Sequence, residues 1–280
     1  MYPAAFDYAK PATVAEAVSL LSANPDAKIL NGGHSLLPAM KLRLAQPAML
    51  VDIGGISELK QVSVNGGATI GAAATYDDLL KHDGLKAHTA LYEAMSKVGD
   101  VQVRNRGTVG GSAAHADPAA DIPAALIALG AELVAVGPNG TRTIAADDFF
   151  VDILTTALEP DEVLTEIRIP ASGASSAYEK FAHPASGYAV CGVAVALERD
   201  GEGTVTNARI AVTGSVYKAT RCSAAEAAIT GTKATAADIE AAAAVAADGL
   251  ELAGDHYASA EYRGHLTKVL TKRALTRAAG

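Results

Sequence analysis

The chain has 280 residues, half of them hydrophobic and 19 % charged, with a formal net charge of −8. That length buries one large domain or two ordinary ones, and the negative balance argues against a nucleic-acid groove, which needs a basic stripe. The only cysteines, Cys191 and Cys222, form no CxxC or metal-ligand spacing. A reducing compartment without disulfides is therefore expected, and the chain by itself cannot hold an iron–sulfur cluster, which needs about four thiolates. The N-terminus MYPAAFDYAKP lacks a basic segment followed by an apolar one, and the run AAAAVAA is too short to cross a bilayer. No signal peptide or transmembrane segment is expected, and the protein is read as soluble and cytoplasmic.

In chain order, TVAEAVSLLSANP reads as an amphipathic helix, with Thr13 and Glu16 at capping-box spacing and Pro25 beyond its end. KIL is a strand that breaks into NGGHSLLP, AMLVDIGG is a second strand and ATIGAAAT a third. TYDDLLKHDGLK opens a helix capped by Thr75, and HTALYEAMSKVG forms another after the Asp83-Gly84 break. ALIALG is helical, with Asp121 as cap and Pro123 in the first turn, where proline is tolerated. AELVAVGPNGTRTIAADDF is a hairpin turning at Asn139-Gly140, and EVLTEIRIP is a strand ending at Pro170.

The small polar residues of ASGASS read as a linker between domains. Beyond it, YAVCGVAVALERDGEGTVTNARIAVTGS is a long hairpin turning at Asp200-Gly201. Two helices close the chain: ATAADIEAAAAVAADGLEL, with Thr235 and Asp238 at capping spacing, and EYRGHLTKVLTKRALTR, with basic residues near its C-terminal end. This order is α+β, without the regular βαβ alternation of a doubly wound sheet.

The chemistry-bearing stretch is RNRGTVGGSAAHADPAAD, residues 104–121, which crowds turn-forming and hydrogen-bonding residues ahead of an apolar helix. Its core, Thr108-Val109-Gly110-Gly111-Ser112, resembles an earlier loop, Asn31-Gly32-Gly33-His34-Ser35. Paired glycines let backbone N–H groups approach a ligand, and consecutive N–H groups lining a concavity bind anions, usually phosphate. Two such loops, each carrying a hydroxyl, fit the two sides of a diphosphate. Neither is a Walker A or a GxGxxG sequence, so a dinucleotide would be held in another geometry.

Each candidate also has an ordinary structural reading. Asp121 serves equally as a helix cap. His34 and His115 have no second histidine or cysteine to complete a ligand set, so they are read as making structural or cofactor hydrogen bonds. Asp117 before Pro118 is a common turn starter. Arg104 and Arg106 either face the diphosphate or lie exposed on the surface, and Lys180 is an ordinary surface lysine by residue type alone.

ILNGGHSLLPAMKLRLAQP and VQVRNRGTVGGSAAHADPAAD together resemble the FAD-binding medium subunit of molybdenum hydroxylases, the carbon monoxide dehydrogenase and xanthine dehydrogenase family. The resemblance covers the whole chain. It implies a two-subdomain FAD-binding fold of the vanillyl-alcohol-oxidase (PCMH) type over residues 1–172, divided at about 55/56, and a C-terminal domain over 176–280 with a three-stranded antiparallel sheet and helices. It also implies that the backbone of Asn31, Gly32, Gly33, His34, Ser35 and Leu36 wraps the FAD diphosphate, with Thr108, Val109, Gly110, Gly111 and Ser112 as a second loop against it. Asp121 should hydrogen-bond a polar part of FAD, Leu164 line the flavin cleft, Lys180 approach the ring and Tyr188 lie beside it; Asp117 is a further candidate contact.

Asn31 stands where the family usually has a small residue, which would add a polar side chain beside the phosphates. The cysteine-bearing insertion of the 4-hydroxybenzoyl-CoA reductase branch is missing. The implied role is an FAD electron-transfer subunit with no catalytic residue or metal ligand of its own. Electrons would come from the [2Fe–2S] clusters of a small subunit, fed by a molybdenum cofactor on a large subunit, and leave to an external acceptor; the implied assembly is a dimer of heterotrimers. The alternatives are a nucleotide-binding or scaffolding module without redox role, and an independent FAD oxidase of the same fold.

Overall fold

Strands β1 (Asp7–Ala9), β2 (Ala27–Leu30) and β3 (Met49–Asp52) form a small parallel sheet in the order β1-β3-β2. Parallel neighbours need crossovers, supplied by α1 (Val14–Ala23) and α2 (Leu36–Lys41). The computed structural model describes residues 1–280. Thr13 caps α1 by accepting the Glu16 N–H, while the Glu16 carboxylate reaches back to Ala12 rather than to Thr13, so the expected capping box closes one residue early. Strand β1 was not anticipated, because DYA is too short to show alternation.

The middle of the chain is an antiparallel five-stranded sheet in the order β4-β5-β10-β6-β7. Its strands are β4 (Val62–Asn65), β5 (Gly67–Gly71), β6 (Glu132–Gly137), β7 (Gly140–Ala145) and β10 (Val163–Ile169). Between β5 and β6 lie α3 (Tyr76–Leu80), α4 (Thr89–Ser96), α5 (Val101–Arg104), α6 (Val109–His115) and α7 (Asp121–Ala128). After β7 come α8 (Ala146–Phe149) and the two-stranded β8 (Phe150–Asp152) and β9 (Thr155–Thr156). Thr75 caps α3 as expected, but the helix stops at Leu80 and Asp83–Ala87 continues as a 3₁₀ turn. The β6–β7 hairpin turns on Pro138-Asn139, one residue earlier than expected, because Gly137 pairs with Gly140.

The C-terminal part holds β11 (Ser175–Ala182), β12 (Ala189–Arg199) and β13 (Val205–Thr213), with a two-residue edge strand β14 (Thr220–Arg221), all antiparallel and in sequence order. The three-stranded sheet is thus three long strands plus a short fourth, and Ser175 and Ser176 belong to β11 rather than to a linker. Helices α9 (Ser223–Ile229), α10 (Ala236–Ala244) and α11 (Ala260–Ala279) follow. The Thr235–Asp238 capping box is present. Helix α9 was not anticipated, and α10 ends sooner than its alanine-rich sequence implied. No helix is long and apolar enough to cross a membrane.

Every residue of α7 is buried, as expected of a helix that is apolar all round. It lies in a core that includes Ile70, Leu126 and Ile167 and also takes Tyr178, Ala194 and Ala211 from the C-terminal sheet. The sequence boundary near residue 172 therefore passes through a shared core. That packing aims the first turn of α7 at β11 and β13.

Candidate functional site

The two glycine pairs meet on the Ala72 carbonyl. Asn31 Nδ2 donates to it at 3.2 Å and the Gly110 N–H at 3.1 Å. Gly32 abuts the Arg106 carbonyl oxygen so closely that any Cβ there would overlap it, and a Cβ on Gly110 would stand 2.5 Å from the Ala72 oxygen. The Asn31 amide thus ties two loops together.

The N–H groups of the two segments differ. None from Asn31 through Leu36 donates to an acceptor within the protein. The turn is opened by Gly33 at φ +80°, and Ser35, at the head of α2, makes no side-chain capping bond. His34 is exposed and its neighbours in the loop are half-buried. A run of backbone donors without internal acceptors must find water or a ligand, and around a left-handed residue it forms an anion-binding concavity.

In the second segment, by contrast, Val109 donates to Ala74 O (3.3 Å), Gly110 to Ala72 O, Gly111 to Thr108 Oγ1 (3.1 Å) and Ser112 to Thr108 O (3.0 Å). The expected second loop is therefore the capped first turn of α6, with Thr108 as its N-cap. The Ser112 hydroxyl lies against the buried Tyr76 phenol.

Asp121 is the first residue of α7 rather than its cap; Ala120 occupies the cap position and makes no side-chain capping bond. The carboxylate turns instead toward β11. Oδ1 accepts from the Tyr178 hydroxyl at 2.6 Å and Oδ2 from Lys180 Nζ at 2.9 Å. Lys180 also donates to Lys97 O at 3.0 Å. The Lys180 and Asp121 side chains are only 3 % and 6 % exposed, so Lys180 is not a surface lysine. Burial pushes the Asp121 carboxyl above its usual value, while Lys180, Tyr178 and Lys97 pull it back. Tyr178 was missed by the sequence reading. The available signal was strand alternation, which puts residues 178 and 180 on one face.

Tyr188 is half exposed, and burial together with the Asp117 and Asp121 charges raises its phenol above the usual value. Asp117 Oδ1 accepts from Ala119 N–H at 2.8 Å, the turn-starting bond. The following carbonyls are held by the C-terminal sheet: Pro118 O accepts from Gly214 N–H and the Thr213 hydroxyl, and that hydroxyl also reaches Ala120 O. Leu164 is buried in the shared core, one residue before Thr165, whose carbonyl accepts from Ala72 N–H. Arg104 donates to Val98 O and Gly99 O, and Arg106 is exposed. His115 ends α6, half-buried, and no cluster of histidine, cysteine and carboxylate side chains could hold a metal.

The open donor run and its glycine-packed neighbour are joined at the Ala72 carbonyl, and Asp121 and Lys180 join α7 to β11. Residues 4–172 match the family described as FAD binding domain in molybdopterin dehydrogenase, and residues 176–278 match the CO dehydrogenase flavoprotein C-terminal domain. The chain belongs to the FAD-binding medium subunits of the carbon monoxide dehydrogenase and xanthine dehydrogenase family.

Within this medium-subunit family, the chain is 42 % identical to the carbon monoxide dehydrogenase medium chain of Hydrogenophaga pseudoflava, over 99 % of this chain and 98 % of the relative. It is 36 % identical to the nicotine 6-hydroxylase medium subunit of Paenarthrobacter nicotinovorans, over 98 % and 97 % of the two chains. Among solved structures, it is similar to the H. pseudoflava carbon monoxide dehydrogenase that lacks the Mo-pyranopterin moiety, with a TM-score of 0.94 and 44 % identity over 99 % of this chain and 98 % of that one. It is also similar to quinoline 2-oxidoreductase of Pseudomonas putida 86, with a TM-score of 0.93 and 34 % identity over 100 % and 98 %. These relatives act on different substrates.

Proposed function

We propose that this medium subunit carries FAD and passes electrons within a molybdenum-containing hydroxylase. The observation that carries the reading is the uninterrupted run of unsatisfied backbone donors from Asn31 through Leu36, which fits a diphosphate. In this reading that run holds the diphosphate, and Thr108 through Ser112 form the opposing wall, with the Ser112 hydroxyl as a polar contact. Asp121 and Lys180 meet polar edges of the cofactor, Asp117 and Tyr188 flank it, and Leu164 backs the cleft from the sheet. Bound FAD accepts electrons singly or in pairs, which joins one-electron iron–sulfur centres to a two-electron acceptor.

The chain's own residues bind and orient the cofactor. Hydroxylation takes place on a large molybdenum subunit, and a small [2Fe–2S] subunit hands electrons to this one for an external acceptor. The assembly is a dimer of heterotrimers in the cytoplasm. Residues 1–172 form the cofactor-binding domain, with subdomains dividing near residue 55, and residues 176–280 form the C-terminal domain.

Titration of the purified full chain, following quenching of free FAD fluorescence, tests the reading. Saturable binding of FAD with much weaker FMN binding is expected, because FMN has one phosphate and no adenosine. Equal affinity for the two would overturn the diphosphate assignment.

A further inference from the structure

Tyr178 sits at the hub of the buried polar cluster. Its side chain has no solvent exposure, and room for its hydroxyl exists only because residue 192 on the adjacent β12 is glycine, where any Cβ would overlap the phenol oxygen. Its backbone is pinned on both sides: the N–H donates to Glu93 Oε2 at 2.9 Å, and the carbonyl accepts from Lys97 Nζ at 3.1 Å and from Arg277 at 3.2 Å. With the main chain fixed and the ring enclosed, the hydroxyl has one direction to donate, toward Asp121 Oδ1 at 2.6 Å. Lys180, on the same face of β11, closes on the other carboxylate oxygen.

We propose that Tyr178 is a positioning residue of the cofactor site: its phenol keeps the Asp121 carboxylate ionised and oriented, and through it holds the Lys180 ammonium at the place where it meets FAD. The inference rests on the FAD reading above. A donor to the charged form of a buried carboxylate favours ionisation, and the Asp121 carboxylate is what anchors the buried Lys180 Nζ at 2.9 Å. The groups acting on Asp121 are the ammonium groups of Lys180 and Lys97 and the phenols of Tyr178, Tyr76 and Tyr188; the Cys191 thiol, bonded to Ser215 and Thr267 on the other face of the sheet, acts on Tyr178 only through its charge. Among them only Tyr178 and Lys180 bond the carboxylate directly.

The test is Tyr178→Phe in the full chain, which keeps the ring and removes the hydroxyl. Two readouts are followed against pH: the infrared band of the protonated Asp121 carboxyl without ligand, assigned by its loss in Asp121→Asn, and FAD affinity by fluorescence quenching. The Asp121 midpoint should rise by about one pH unit in Tyr178→Phe, as for loss of one hydrogen bond to a charged group. FAD affinity should fall by roughly threefold at a pH midway between the two midpoints and approach a tenfold loss below both, the factor equivalent to one such unit.

Placing 3-fluorotyrosine at position 178, a stronger donor of nearly unchanged size, should move the midpoint down; it also serves should Tyr178→Phe fail to fold. A purely structural tyrosine would lower the melting temperature at every pH and leave the midpoint where it was. Identical midpoints in wild-type, phenylalanine and fluorotyrosine chains, with FAD still bound, would overturn the role of Tyr178 alone. Wild-type protein that binds no FAD at any pH would overturn the cofactor reading and this inference with it, whatever the infrared midpoints do.

Discussion

The two glycine pairs have the same local sequence character, and the structure uses them differently. Gly32 and Gly110 have the same task, since each lets one backbone press against another, at Arg106 and at Ala72. Their neighbours diverge. Gly33 takes a left-handed φ of +80° and leaves the surrounding N–H groups unspent, whereas Gly111 lies in a helical turn whose N–H groups are consumed by Thr108 and by Ala72 and Ala74. The nearest polar residue ahead of each pair separates the two: Thr108, two positions before Gly110, bends its hydroxyl onto the helix it starts, while Asn31, directly before Gly32, spends its amide on Ala72. A GG pair therefore marks close approach, and what approaches is set by the residues around it.

The sharpest way to break this comparison is Gly32→Ala or Gly110→Ala. Each new methyl group meets backbone that cannot rotate away, so both should destabilise the fold by about 3 kcal/mol, the upper end of ordinary overpacking, in urea unfolding. A neutral Gly32→Ala would mean that the two segments do not press together.

Gly33→Ala is expected to be milder. A left-handed alanine costs roughly 1–2 kcal/mol, and the distorted donor run should weaken FAD more than it lowers the melting temperature. Unchanged affinity would remove the diphosphate from this loop.

Thr108→Ala should cost about 1 kcal/mol, the usual worth of a helix cap, and leave FAD affinity within a few-fold. A large loss of affinity with a small loss of stability would show that Thr108 itself holds the ligand and that the two pairs are more alike than their N–H partners indicate.

The smallest effect lies far from both pairs. Arg142 bonds Glu162 through both carboxylate oxygens and holds the carboxyl below its ordinary value. A depressed folded-state value stabilises above the ordinary carboxyl pKa, and that contribution is lost as pH falls through the folded value. Arg142 is 44 % exposed, so solvent screening limits the pair to less than about 1 kcal/mol. Glu162→Gln should therefore flatten the acid side of the stability profile slightly and leave FAD affinity unchanged; a change in affinity would show that the hairpin and the cofactor region are coupled.

Local chemistry was legible directly in the residues. Thr13, Thr75 and Thr235 were read as caps and do cap, because a hydroxyl and the N–H it accepts lie within one turn. The long β12–β13 hairpin was readable from its Asp200-Gly201 turn, since its pairing is sequential. The motif pair was distinctive enough to place the chain in its family and to imply FAD.

Tertiary structure decided what depends on a partner far along the chain. Asp121 looked like a cap, yet the C-terminal sheet supplies Tyr178 and Lys180 and draws the carboxylate away from its own helix. Lys180 looked like a surface lysine, yet it is enclosed once α4, α7 and β11 share a core. The Asn31 side chain gives no local sign of its partner, a carbonyl 41 positions on. Sequence specifies which groups are available within a turn or a hairpin. Which donors remain free for a ligand is a balance over every acceptor the fold brings near, and that balance closes only in three dimensions.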